Sequence, residues 1–83
     1  MAVQVRFFAA LRDAAGTDRA IAQPGPLADV LEQLCRAHGD VFRRRVAVST
    51  VIGDGTACRP GDDVVVEDGA EIALLPPVSG GAG

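Results

Sequence analysis

The residues best suited to chemistry lie at the C-terminal end, where positions 74–83 read "LLPPVSGGAG". Leu74 and Leu75 look like the end of a buried strand. Pro76 and Pro77 follow with fixed φ and no amide donor, so they end a sheet ladder and stiffen an extended exit. Val78, Ser79, Gly80 and Gly81 then extend by at most about 3.3 to 3.6 Å per residue, which lets the tip stand more than about 10 Å off a folded domain. Gly80 and Gly81 have no side chains. Such backbone passes through a channel too narrow for anything bulkier and lets a partner approach its carbonyl closely. The tail is therefore expected to act inside another protein's pocket.

No other constellation competes with it. Ser79 has no histidine near it in sequence, and His38 falls on an apolar helical stripe, where a structural role is expected. Cys35 and Cys58 are too few and too far apart for a disulfide framework or a zinc site, and they read as reduced thiols serving as small apolar residues. With one histidine, no metal site is expected. The net charge of −3 supplies no basic field for nucleic acid. No stretch approaches the roughly 20 apolar residues of a membrane span, and the N-terminus lacks the pattern of a targeting segment. A cytoplasmic location is expected.

The 83 residues allow one domain, and a chain this short hides only about 60 to 65% of its unfolded surface. A deep catalytic cavity is not expected. Val3, Val5, Phe7 and Ala9 alternate with Gln4, Arg6, Phe8 and Ala10, predicting a first strand near residues 2–9. "DAAGTD" reads as a turn and "RAIA" as a second strand, together a hairpin. Leu27, Val30, Leu31, Leu34, Cys35 and His38 recur at helical spacing, with Pro26 in the first turn and Gly39 as the stop. Val46, Val48 and Ile52 mark a third strand closed by "GDG" at 53–55. "TACRPG" reads as a short strand running into an irregular connection, with "VVV" at 64–66 as an optional further strand. Asp68-Gly69 makes a turn, and residues 70–75 form the last strand. The order ββαββ fits a mixed sheet of four to five strands packed on one main helix, an α+β fold. Residues 1–77 form the domain and 78–83 its tail. The expected core comprises Val3, Val5, Phe7, Leu27, Val30, Leu31, Leu34, Val46, Val48, Ile72 and Leu74.

Strand parity leaves two large apolar residues on the wrong face. With Val3, Val5 and Phe7 turned inward, Phe8 faces outward with Gln4 and Arg6; with Ile72 and Leu74 inward, Leu75 faces outward with Glu71. Each represents roughly 1.5 to 3 kcal/mol that a partner could recover by burying it. Phe8, Leu75, Pro76, Pro77, Val78 and Ser79 are the expected partner-binding residues.

"VRFFAALRDAAG" and "DGAEIALLPPVSGG" resemble the MoaD/ThiS family of sulfur carriers, β-grasp proteins of the ubiquitin-like class, and within it the branch that serves as small subunit of molybdopterin synthase. The resemblance covers nearly the whole chain. It implies a β-grasp fold and a protein that is itself a co-substrate, with no bound cofactor. An E1-like adenylyltransferase would use ATP to adenylate the carboxylate of Gly81, and a persulfide would convert it to a thiocarboxylate. The sulfur would then pass to a pterin precursor inside the synthase large subunit, which supplies the catalytic groups. Two alternatives use the same terminus: a ubiquitin-like modifier forming isopeptide bonds through Gly81, and a carrier feeding thiamine, cysteine, tRNA or a secondary metabolite. The chain departs from the family by continuing through Ala82 and Gly83, which turns the Gly81 carboxylate into an amide. Three readings stand: a peptidase removes the dipeptide, Gly83 is itself activated, or the extended chain is an inactive or recombinant form.

Overall fold

The computed structural model describes residues 2–77, and within them the alternating N-terminal stretch is a strand, β1 (Val3–Phe7), buried at every second residue. Next come α1 (Ala9–Ala15), β2 (Arg19–Ala22), β3 (Gly25–Pro26), α2 (Leu27–His38), α3 (Asp40–Ala47), β4 (Thr50–Gly53), β5 (Thr56–Cys58), β6 (Val65–Val66) and β7 (Glu71–Leu75). A five-stranded mixed sheet runs in the order β2-β1-β7-β4-β5, and a two-stranded sheet pairs β3 with β6. Only β1 and β7 pair in parallel in the larger sheet. This is the α+β, β-grasp arrangement, with α2 as its longest helix.

Helix α2 forms where the apolar period predicts it. It buries Leu27, Val30, Leu31, Leu34 and Cys35 against the inner sheet face, where Val3, Val5, Phe7, Ile72 and Leu74 point. Pro26 stands just ahead of the first turn, with φ −55° and ψ 142°. Gly39 ends the helix at φ 96°, a conformation that L side chains rarely adopt, and its N–H donates to the Cys35 carbonyl at 2.9 Å.

Three expectations are corrected. Residues 9–15 are a helix, where the end of a strand and the start of a turn were expected: "AALRDAA" is rich in strong helix formers, and winding it places Leu11 at 0% exposure in the core. β2 still pairs antiparallel with β1, but across α1 and not through a tight hairpin. Residues 40–47 are likewise helical, so Val46 is buried as a helix residue beside Phe42, while Val48, expected in the core, is 61% exposed. The strand there begins at Thr50 and turns Val51 inward, leaving Ile52 on the outer parity. Finally, Val65–Val66 of the "VVV" run, an optional strand in the sequence, does form one by pairing with β3, and Leu11, Phe42, Val51 and Val66 add to a core that the pattern underestimated.

The "GDG" turn closes as expected. Asp54 (φ 49°) and Gly55 (φ 85°) form the two-residue loop between Gly53 and Thr56, a conformation with both central φ positive that matches the twist of a hairpin.

Helices α2 and α3 are clipped together on the outside by Glu32. Arg43 donates to Glu32 Oε1 at 2.7 Å and Oε2 at 3.0 Å, and Arg36 Nε donates to Oε2 at 3.1 Å. The Arg43 hydrogen bonds hold the Glu32 carboxyl at about 2, below the ordinary 4.5. A lowered folded-state value means that this contribution is fully present above the unfolded value and lost as pH falls through the folded one. Unfolding midpoints measured at falling pH should therefore drop more for the native chain than for Glu32→Gln between about 4.5 and 2. The difference is small, because solvent screens the clip. Parallel acid limbs for the two proteins would show that the clip contributes nothing.

Candidate functional site

The position of β7 determines where the tail leaves the domain. β7 lies between β1 and β4, with Leu74 opposite Phe7 and Val51 and Leu75 opposite Thr50, so it ends in the middle of the sheet. Pro76 and Pro77 then withhold amide donors, and ladder pairing stops at Leu75. Pro76 is half-buried and Pro77 exposed. Val78, Ser79, Gly80 and Gly81, with Ala82 and Gly83, lie outside the described residues.

Two surfaces flank this exit. On one side, Phe8 remains extended at φ −125° and ψ 148°, and its N–H donates to the Leu74 carbonyl at 3.2 Å, which carries the parallel ladder one residue beyond β1. That register sets Phe8 beside Leu75. Phe8 is 37% exposed and Leu75 half-buried, and neither belongs to the core cluster. The Arg6 guanidinium carbon lies 5.7 Å from the Phe8 ring centroid, in the range for attraction between a cation and a ring face. Arg6, Phe8, Ile52, Glu71 and Ala73 share a shallow depression on the outer sheet face. On the other side, Val48, Thr50, Arg59 and Pro77 line a groove at the root of the tail.

Val48, Ile52, Thr50 and Arg59 were not anticipated at this site. Ile52 was legible in principle: placing the strand at Thr50 gives alternation with Val51 inward and Ile52 outward. The grouping of Val48 with Pro77 depends on tertiary placement and has no sequence signal.

The described residues hold no catalytic arrangement. His38 is half-buried against two rings, 5.6 Å from Phe7 and 5.0 Å from Phe42 between centroids, which accords with the structural role expected of it. Cys35 is buried and Cys58 half-buried, and loss of solvation pushes both thiols up from their ordinary value. Among the described residues no group of three His, Cys, Asp or Glu could hold a metal ion, and no helix is long and apolar enough to cross a membrane. What the arrangement offers is presentation: a stiff exit from the sheet centre between an outer face carrying Phe8 and Ile52 among charged residues and a groove.

Comparison with known proteins gives this geometry relatives. The ThiS family model matches residues 5–81. No curated protein matches the chain. Among solved structures it is similar to small archaeal modifier protein 1 (SAMP1) from Methanosarcina acetivorans, with 28% identity and a TM-score of 0.78 over 95% of each chain. SAMP1 from Haloferax volcanii matches at 27% identity and a TM-score of 0.76, over 96% of this chain and 99% of that one. A complex of subunits 1 and 2 of molybdopterin-converting factor from Helicobacter pylori matches in fold, at 22% identity and a TM-score of 0.64, over 96% of this chain and 99% of the matched one.

Proposed function

The chain belongs to the ThiS family, and from that membership we propose that it is a cytoplasmic sulfur carrier, the small subunit of a molybdopterin synthase, working through a thiocarboxylate on Gly81. At the coarser level it is a β-grasp protein of the class that holds sulfur carriers and ubiquitin-like modifiers. The observation that carries the proposal is the tail itself: β7 runs from the centre of the sheet into Pro76-Pro77, and the family match ends on Gly81. A carboxylate at that position is a poor electrophile, so an E1-like adenylyltransferase partner would have to convert it, with ATP, to an acyl-phosphate anhydride. The chain's own contribution is binding and delivery. Phe8 and Leu75 would seat the outer face on the partner, Pro76 and Pro77 would aim the tail, Val78 and Ser79 would cross the entrance, and Gly80 would leave room for the terminal carbonyl of Gly81. A peptidase removing Ala82 and Gly83 would expose the carboxylate.

Co-expression of a chain ending at Gly81 with a synthase large subunit tests the pathway. The two should co-elute, and together with a pterin precursor the thiocarboxylated form should yield the dithiolene product. Failure of every large subunit tried to bind, with sulfur passing instead to tRNA or thiazole precursors, would move the chain to another pathway. A modifier role is favoured by the likeness to the small archaeal modifier proteins. It would appear as conjugates of higher mass that survive reduction.

Phe8→Asp provides a separate check on the surface. Because Phe8 is outside the core, the substitution should leave thermal unfolding nearly unchanged, yet burying an unpaired carboxylate should weaken binding to the large subunit or activating enzyme by more than about 1 kcal/mol. Unchanged affinity in titration calorimetry would remove Phe8 from the interface.

A further inference from the structure

All eight basic residues of this chain are arginine; it has no lysine. That composition bears on a protein whose terminus becomes an acylating agent. An amine attacks the terminal carbonyl carbon, a C–N bond forms, the bond from that carbon to the adenylate phosphate oxygen breaks, AMP leaves, and the amine proton passes to solvent. A lysine can supply that lone pair from its small deprotonated fraction. A guanidinium cannot, because it stays protonated and its nitrogens are donors only.

The thiols and the imidazole of the domain are partly or wholly covered by the fold. Cys35 is 5% exposed and packed in the core, and Cys58 is half-buried on β5. Burial raises the value of both thiols, so little thiolate is available to form a thioester. His38 is half-buried against the rings of Phe7 and Phe42. Hydroxyl groups without an adjacent base are weak nucleophiles.

We infer that this chain is an acyl donor whose own side chains offer no acceptor site, so that no transfer product carries a second copy attached through a side chain of the first. The inference rests on the activation of Gly81 proposed above. It bears on both readings of function: a carrier of this build does not lose its activated form to the side chains of its neighbours, and a modifier of this build cannot extend chains through its own side chains.

The test activates the terminus chemically, as an aryl thioester of a chain ending at Gly81 released from an intein fusion, so that no activating enzyme is involved. The thioester, its α-amine blocked by acetylation during expression, is held concentrated at mildly alkaline pH, alone or with a lysine-containing peptide at matched amine concentration, and products are read by denaturing electrophoresis and intact mass. The native chain should remain monomeric alone and give one adduct per chain with the peptide. The doubly substituted Arg44→Lys, Arg45→Lys chain, altered at exposed positions, should form covalent multimers at a rate near that of the peptide adduct, and circular dichroism would verify its fold. Multimers of the native chain linked through a side chain overturn the inference. So does a lysine variant that stays monomeric while the peptide reacts. If these results hold but enzymatic sulfur loading fails, the sulfur-carrier reading falls and the donor-only property stands.

Discussion

A chain ending at Gly81 should become thiocarboxylated when mixed with a cognate activating enzyme, ATP and a persulfide donor, and the chain continuing through Ala82 and Gly83 should not, until those two residues are removed. Adenylation needs a free carboxylate; in the longer chain the carbonyl of Gly81 is part of an amide, which has no anionic carboxylate oxygen to attack the ATP α-phosphate. The product is read by intact mass, as the difference between sulfur and oxygen. Gly81→Ala in the shorter chain should react poorly, because a single methyl group obstructs a channel shaped for bare backbone. Equal thiocarboxylation of the longer chain at Gly83, with its length unchanged, would make "GAG" the working terminus and end the case for a peptidase.

Phe42→Ala should cost about 3 to 5 kcal/mol, the range for truncating a buried aromatic residue. Phe42 is 0% exposed, and its ring meets Phe7 at 5.2 Å and an interplanar angle of 68°, an edge-to-face contact. With His38, these rings join β1, α2 and α3 at one point. A domain of 83 residues has a total stability of roughly 4 to 12 kcal/mol, so the loss is a large share of it. Because Phe7 adjoins Phe8, loosening this point should also blur the surface beside the tail. Chemical denaturation measures the effect; a loss below about 1 kcal/mol would mean that α3 is not anchored by Phe42.

Much of this protein follows from local pattern. The alternation of Val3, Val5 and Phe7, the helical spacing from Leu27 to Cys35, the Asp54-Gly55 loop and the last strand are each legible because side-chain period and backbone preference act over a few residues. The chemistry expected of the tail is read the same way, from what glycine and proline lack. Parity also anticipates the outward positions of Phe8 and Leu75. Residues 40–47 were not legible in this way, since Val46 and Val48 keep a strand's period of two while Phe42 and Val46 keep a helix's spacing of four, and α3 is decided by burying Phe42 between α2 and β1. α1, at seven residues, is too short to hold its own hydrogen bonds in water and exists because Leu11 reaches the core. The two-residue pairing of β3 with β6 has no pattern to read. Nor could any local signal place β7 between β1 and β4, so that the tail emerges from the centre of the sheet with Phe8 on one side and Val48 on the other. That choice rests on pairing between segments more than sixty residues apart, such as Phe7 with Leu74, and free energy from such contacts exists only once the whole chain has closed around its core.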